Sequence, residues 1–250
     1  TFEQTFFRNL VSLIIAAVMV RRENLQVFQE IKRGGWALWG RSFFGFLGIV
    51  LFFYAAGHAR QADVAMLNRA SPVFVTLLAG IFLKEKITPV KIASTILCLV
   101  GAYIAMQPSF DSNPFPLLAA LLAAVVSGMA YTMLSYCKNF THPSAIIFHF
   151  SALSTVCAGL MMLPNLVIPS PKVFVMLLLI GVFAAGGQFF LTYAYQQAPA
   201  SEVSIGVVFT AVFSYAFLGE TLSKSSIIGG IVILGAIFWV FENTRKEKNT

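Results

Sequence analysis

Nine apolar runs, each close to the length that spans a bilayer, dominate this chain of 250 residues. They cover 3–20, 36–57, 62–83, 88–106, 115–136, 144–163, 172–195, 201–218 and 225–242. About 20 mostly apolar residues make a helix that crosses a ~30 Å hydrocarbon core. Hydrocarbon offers no partner to a backbone N–H or C=O, so each run is read as a helix that satisfies its own backbone. The gaps, such as GHARQ, KEKITP, QQAPA and GETLSK, are too short to hold a soluble domain. Neighbouring helices must therefore be antiparallel hairpins. Only 11% of the residues are charged, about half the share usual in soluble domains. The fold class this predicts is an all-α integral membrane protein.

The formal charge of +7 raises nucleic acid as a partner. The basic residues form no continuous patch and fall in short gaps between apolar runs, so that reading fails. They do set orientation. Eleven lie on one side of the membrane: Arg21, Arg22, Lys32, Arg33, Lys84, Lys86, Lys91, Lys138, Arg245, Lys246 and Lys248. The other side holds three, Arg60, Lys172 and Lys224. The first side is expected to be cytoplasmic, with the C-terminus inside and Thr1 outside. Cys98, Cys137 and Cys157 show no paired spacing and read as small apolar fillers. No metal site, cofactor site or cleavable leader is indicated.

Part of the pattern occurs twice. Phe74, Phe82, Leu83 and Glu85 match Phe209, Phe217, Leu218 and Glu220 at an offset of 135. Upstream, Gly48, Tyr54, Ala55 and Val64 match Gly187, Tyr193, Ala194 and Val203 at an offset of 139. The copies lie five spans apart, so they run in opposite directions. Inverted repeats of this kind characterise secondary transporters. The offsets differ by four, which locates a deficit between Val203 and Val207. Either an interrupted helix or omitted residues is expected near Ile205–Gly206. A five-plus-five plan also calls for one more span before Thr1.

Ser71-Pro72-Val73-Phe74, Phe82-Leu83-Lys84-Glu85 and Gly101, then Phe209, Phe217-Leu218-Gly219-Glu220 and Gly235, resemble the EamA-type transporters of the drug/metabolite transporter superfamily. Arg8, within Phe6–Asn9, fits an arginine that the family often carries early in its second helix. The resemblance implies ten helices in two inverted five-helix halves, of which nine are visible. It places the first repeat at 1–106, a linker loop at 107–114, and the second repeat with a cytoplasmic tail at 115–250. It implies transport and leaves the solute open among amino acids, vitamins, other metabolites and drugs.

Arg69 is the sharpest candidate for chemistry. It lies about 12 Å along its helix from Ala62, near mid-membrane. An ionisable group there needs a polar cavity or a partner. Pro72 lacks an N–H and frees the carbonyl of Asn68. Asn68 and Arg69 are read as a polar site meeting an anionic group of the solute. The alternative is a structural arginine bonded to freed carbonyls or to an acid on another helix. Gln188 and Thr192 share a helix face after Gly186-Gly187, whose small size suits close helix contact. Gln188, Tyr193 and Tyr131 are cavity candidates. His149, between two phenylalanines, is either packed or a proton carrier. Arg41 is near enough to its helix end to snorkel. Arg8 is expected to be structural. Glu85 and Glu220 are expected to cap or pin the helix that follows each.

No enzyme motif such as HExxH or GxSxG is present. An intramembrane lipid-modifying enzyme would need a nucleophile or metal constellation at one depth. A receptor would explain neither the repeat nor Arg69. The expected function is a multi-pass inner-membrane carrier of small organic metabolites, amino-acid-like solutes above all, exporting by alternating access. Its expected partners are the solute, the lipid bilayer and a proton or other coupling ion.

Overall fold

The computed structural model describes residues 2–107, 113–165, 169–208 and 224–248. Their regular structure is helical, with no strand among them. The helices are α1 (Phe2–Arg22), α2 (Val27–His58), α3 (Gln61–Asn68), α4 (Ser71–Phe82), α5 (Pro89–Met106), α6 (Pro114–Tyr136), α7 (Pro143–Met162), α8 (Pro171–Gln197), α9 (Ala200–Val208) and α10 (Lys224–Lys248). Short 3₁₀ turns follow α6 at Cys137–Asn139 and α7 at Leu163–Asn165.

The sequence explains where these helices start. α5, α6, α7 and α8 each open on proline, whose fixed φ and missing N–H suit the first helical position. Thr88 precedes Pro89, and its hydroxyl accepts from the N–H of Lys91 at 3.4 Å. α1, α4 and α5 are followed by the left-handed residues Asn24, Lys84 and Gln107, which turn the chain out of the helix.

Among the described residues, six helical spans are long and apolar enough to cross a membrane. They are Glu3–Arg22, Val27–His58, Asp63–Phe82, Pro114–Asn139, Pro143–Met162 and Pro171–Gln197. Pro89–Ile104 and Ile228–Val240 are shorter apolar helices. α3 and α4 together make the third of the six, bent at Arg69–Ala70. The run 201–218 is described only as far as Val208. α9 passes through Gly206 unbroken, which removes the interruption expected at Ile205–Gly206. Glu220 and the rest of that run lie outside the described residues.

One connection is not the loop that its polarity suggests. Helix α2 begins at Val27, inside RRENLQVFQEIKR, and turns at Gly35, where φ is 48° and ψ is −138°. Glycine takes this backbone geometry at little cost, so a short helix can lead into the apolar span at an angle.

Two compact units make up the chain: Thr1–Ile49 with Met133–Gln197, and Val50–Thr132 with Ala198–Thr250. Each draws on both halves of the sequence. In the first unit, α1 packs along α7 and α8. Thr5, Asn9, Ser12 and Ala16, at helical spacing on α1, are all buried. In the second unit, α5 packs along α10 and α4 meets α9. Cys98 and Ala102 of α5, Ile205 of α9, and Ile233, Ala236 and Val240 of α10 form one buried cluster. A Cβ added at Gly101 would sit 2.8 Å from the carbonyl oxygen of Gly229, so glycine sets the closeness of α5 and α10. Large apolar side chains point outward in numbers, including Phe183 at 77% and Phe190 at 81% exposure on α8. In water such surface would be a liability; against acyl chains it is solvated.

Candidate functional site

The break between α3 and α4 has three adjacent features. The N–H of Arg69 reaches both Ala65 O at 3.0 Å and Met66 O at 3.1 Å, and that of Ala70 reaches Leu67 O at 3.0 Å. The helix thus tightens before it stops. Pro72, two residues into α4, has no N–H to return to the Asn68 carbonyl. Asn68 Oδ1 is buried with no hydrogen-bond partner among the described residues. Such an atom marks a place where a polar guest would be stabilised. Arg69 is half-buried and engaged with its surroundings. Tyr131, on α6 of the same unit, is likewise half-buried and engaged.

The other three candidates lie in the first unit. His149 on α7 is 7% exposed. Its Nδ1 lies 2.7 Å from Ser42 Oγ on α2, and its ring meets Trp39 edge-on at 4.5 Å. Beside it, the Arg41 guanidinium carbon sits 4.4 Å over the Phe150 ring. Two consecutive residues of α2 therefore meet two consecutive residues of α7. Arg41 is 2% exposed, which overturns the snorkelling expected of it. Position along a helix did not reveal that α7 covers this face. Gly45, one turn on, leaves the space that Arg41 and Phe150 occupy.

Gln188 and Thr192 do share a face, but they bond to each other within α8. Gln188 Nε2 donates to Thr192 Oγ1 at 3.2 Å, and Thr192 Oγ1 donates to Gln188 O at 2.8 Å. A Cβ at Gly186 or Gly187 would meet nothing within 4 Å among the described residues, so no close helix contact of these glycines is seen there. That role falls to Gly181, against Val11 of α1. Tyr193 is half-buried, whereas Tyr195, which the sequence did not single out, is fully buried.

Glu85 caps a helix, though not the one that follows it. Its carboxylate accepts the N–H of Ala200 at 2.7 Å, the N–H of Ser201 at 3.3 Å and the hydroxyl of Ser201 at 2.7 Å. It thus neutralises the positive N-terminal end of α9, 115 residues away in sequence. Lys91 on α5 pairs with Glu202 of α9 at 3.3 Å, and both side chains are buried. Together they fix α9 against α5.

A second polar cluster, unmarked by any motif, joins the α1–α2 and α6–α7 turns. Glu30 accepts from Arg33 at 2.9 Å and from the N–H of His142 at 2.7 Å, and Glu23 lies 3.3 Å from His142 Nδ1.

Among the described residues, one of the six spans able to cross a membrane is thus broken at Asn68–Pro72, which suits a membrane transporter. The sequence profile of the EamA-like transporter family matches residues 1–107 and 114–242, and the chain belongs to that family. The pseudopaline exporter of Pseudomonas aeruginosa (strain UCBPP-PA14) is 30% identical over 240 residues, covering 94% of this chain and 84% of that protein. The riboflavin transporter of Brucella anthropi is 26% identical over 257 residues, covering 98% and 89%. A solved crystal structure shares the fold at a TM-score of 0.82, with 14% identity across 98% of this chain and 88% of the other. The protein is a multi-pass membrane transporter of small-molecule solutes and not an enzyme.

Proposed function

We propose that this transporter exports small organic metabolites bearing a carboxylate, amino-acid-like solutes above all, by alternating access. The observation that carries the reading is the broken span: Asn68 Oδ1 is buried with no hydrogen-bond partner among the described residues, next in sequence to Arg69 and four residues before Pro72, which has no N–H to offer the Asn68 carbonyl. An intramembrane arginine beside unsatisfied polar atoms suits an anionic group that arrives and leaves. Asn68, Arg69 and Tyr131, all in the second unit, are the side chains assigned to the solute. Export as the direction is supported by the pseudopaline exporter among the relatives. The riboflavin transporters favour a second reading, a vitamin carrier of the same fold.

The mechanism rests on ten helices in two inverted halves. The packing supports this plan, because α1 with α7, the α3–α4 span with α9, and α5 with α10 are each five spans apart in chain order. Pairing of equivalent helices is what a pseudo-two-fold axis in the membrane plane produces. Saturable uptake of labelled amino acids into proteoliposomes, without uptake of riboflavin, is the expected result. Uptake of riboflavin alone would install the vitamin reading, and uptake of neither would sink both.

Orientation follows from the charge bias, with the 21–33 segment and the C-terminal tail in the cytoplasm of the inner-membrane protein. In a background with Cys98, Cys137 and Cys157 replaced by alanine, single cysteines at Asn24 and Asn243 should resist an impermeant thiol reagent in intact cells. One at Ser112 should react. Reaction at Asn24 with none at Ser112 would invert the topology.

A further inference from the structure

A cavity of about 430 Å³ opens where the α1–α2 and α6–α7 turns meet. That volume falls within the range of small-molecule sites, about 300–1,000 Å³. Arg33, Lys138, Phe140 and Thr141 line it, all in the first unit, whereas Asn68 and Arg69 belong to the second. Lys138 is exposed and forms no ion pair among the described residues. Arg33 donates one N–H to Glu30 at 2.9 Å, and its side chain is 63% exposed, so donors of its fork remain for a guest. Glu30 also lines the cavity, but both its oxygens are engaged, one by Arg33 and the other by the N–H of His142. Thr141 is 4% exposed, and its Oγ1 has no hydrogen-bond partner among the described residues. In the turn and helix ends beside the cavity, Arg21, Arg22 and Lys32 are exposed too, so basic side chains outnumber Glu23 and Glu30.

An aromatic row continues from the cavity. The ring centre of Phe140 lies 5.8 Å from that of Tyr136, which lies 5.4 Å from that of Trp36. All three rings are exposed. Tyr136 ends α6, and Trp36 opens the apolar run that follows Gly35, so the row sits where two spans reach the membrane surface. Nearby, Phe28 is 88% exposed with Lys32 one turn further along α2, the arrangement of a helix lying among headgroups. We propose that this cavity binds the phosphate of an anionic phospholipid, whose acyl chains lie along Phe140, Tyr136 and Trp36. The Arg33 fork and the Lys138 ammonium donate to the phosphate oxygens. A choline headgroup carries its own cation, which these two side chains would repel, so a lipid of net negative charge is selected.

The test uses the full chain in a neutral detergent, where no charged bilayer surface attracts basic residues in general. Native mass spectrometry with added phosphatidylglycerol should show one saturable lipid, and phosphatidylcholine of the same chain length should bind at least about tenfold more weakly. Arg33→Gln and Lys138→Gln should each weaken phosphatidylglycerol at least about tenfold, the loss expected for one charge-assisted hydrogen bond. Lys84→Gln with Lys86→Gln removes two charges from exposed positions of the second unit and should leave binding unchanged. Equal binding of the two lipids overturns the proposal, and so does an equal loss in the Lys84/Lys86 variant. Displacement of the lipid by inorganic phosphate would make this a site for free phosphate and overturn the lipid assignment. Arg33→Gln strips Glu30 of a charged partner; if it fails to fold, Lys138→Gln, altered at an exposed side chain, decides, and wild-type affinity in that variant overturns the proposal.

Discussion

Arg69→Ala is expected to abolish transport of a carboxylate-bearing solute, and Arg69→Lys to weaken it by roughly 10- to 100-fold. The magnitude follows from hydrogen bonds to charged groups, about 1.5–3 kcal/mol each, with about 1.4 kcal/mol per factor of ten. Lysine keeps the charge and loses the planar fork that grips both oxygens of a carboxylate. Arg69 sits at the junction of α3 and α4, where Pro72 already denies the helix a bond, so alanine there should not break a regular helix. Initial rates with both variants, normalised to monodisperse protein, check the expectation. Wild-type rates for well-expressed Arg69→Ala would remove it from the solute path. Failure of both variants to fold would make the arginine a structural tie instead.

The largest effect on stability is expected from Glu202→Gln. Lys91 would then keep its ammonium buried against a neutral amide. Breaking one side of a buried pair costs roughly 3–5 kcal/mol, because the remaining charge is left without compensation. The apparent Tm in detergent should fall by roughly 6–20 °C for a chain of this size. Replacing both partners, Lys91→Met with Glu202→Leu, should recover most of the loss, since no charge is then stranded. A Glu202→Gln variant as stable as wild type would mean that water reaches Lys91. A double variant worse than the single would mean that the pair stabilises α9 beyond compensating its own burial.

The glutamate at 85 shows where reading the chain in order misleads. Its place at a helix end, just before the next span, predicts a local cap. The structure gives its carboxylate to Ala200 and Ser201 instead. Capping needs only a carboxylate near four exposed N–H groups, and nothing in that requirement is local. Arg41 teaches the same lesson with the opposite sign of charge. Five residues from a helix end it could snorkel, yet Ser42, His149 and Phe150 form a crossing of α2 and α7 that encloses it. Gly186-Gly187 looks like a helix contact because small residues permit one, yet no described residue comes within 4 Å of a Cβ placed there.

What the sequence by itself determined was the six long apolar spans among the described residues, the break at Asn68–Pro72 and the shared face of Gln188 and Thr192. Each is governed by forces acting within one segment: the fixed thickness of hydrocarbon, the missing N–H of proline, the 3.6-residue turn that aligns positions four apart. Tertiary structure alone decided that α9 is held by Glu85 and Lys91, that Arg41 is buried, and that His149 meets Ser42. Those outcomes depend on which helices become neighbours, and apolar surfaces are too much alike for hydropathy to say.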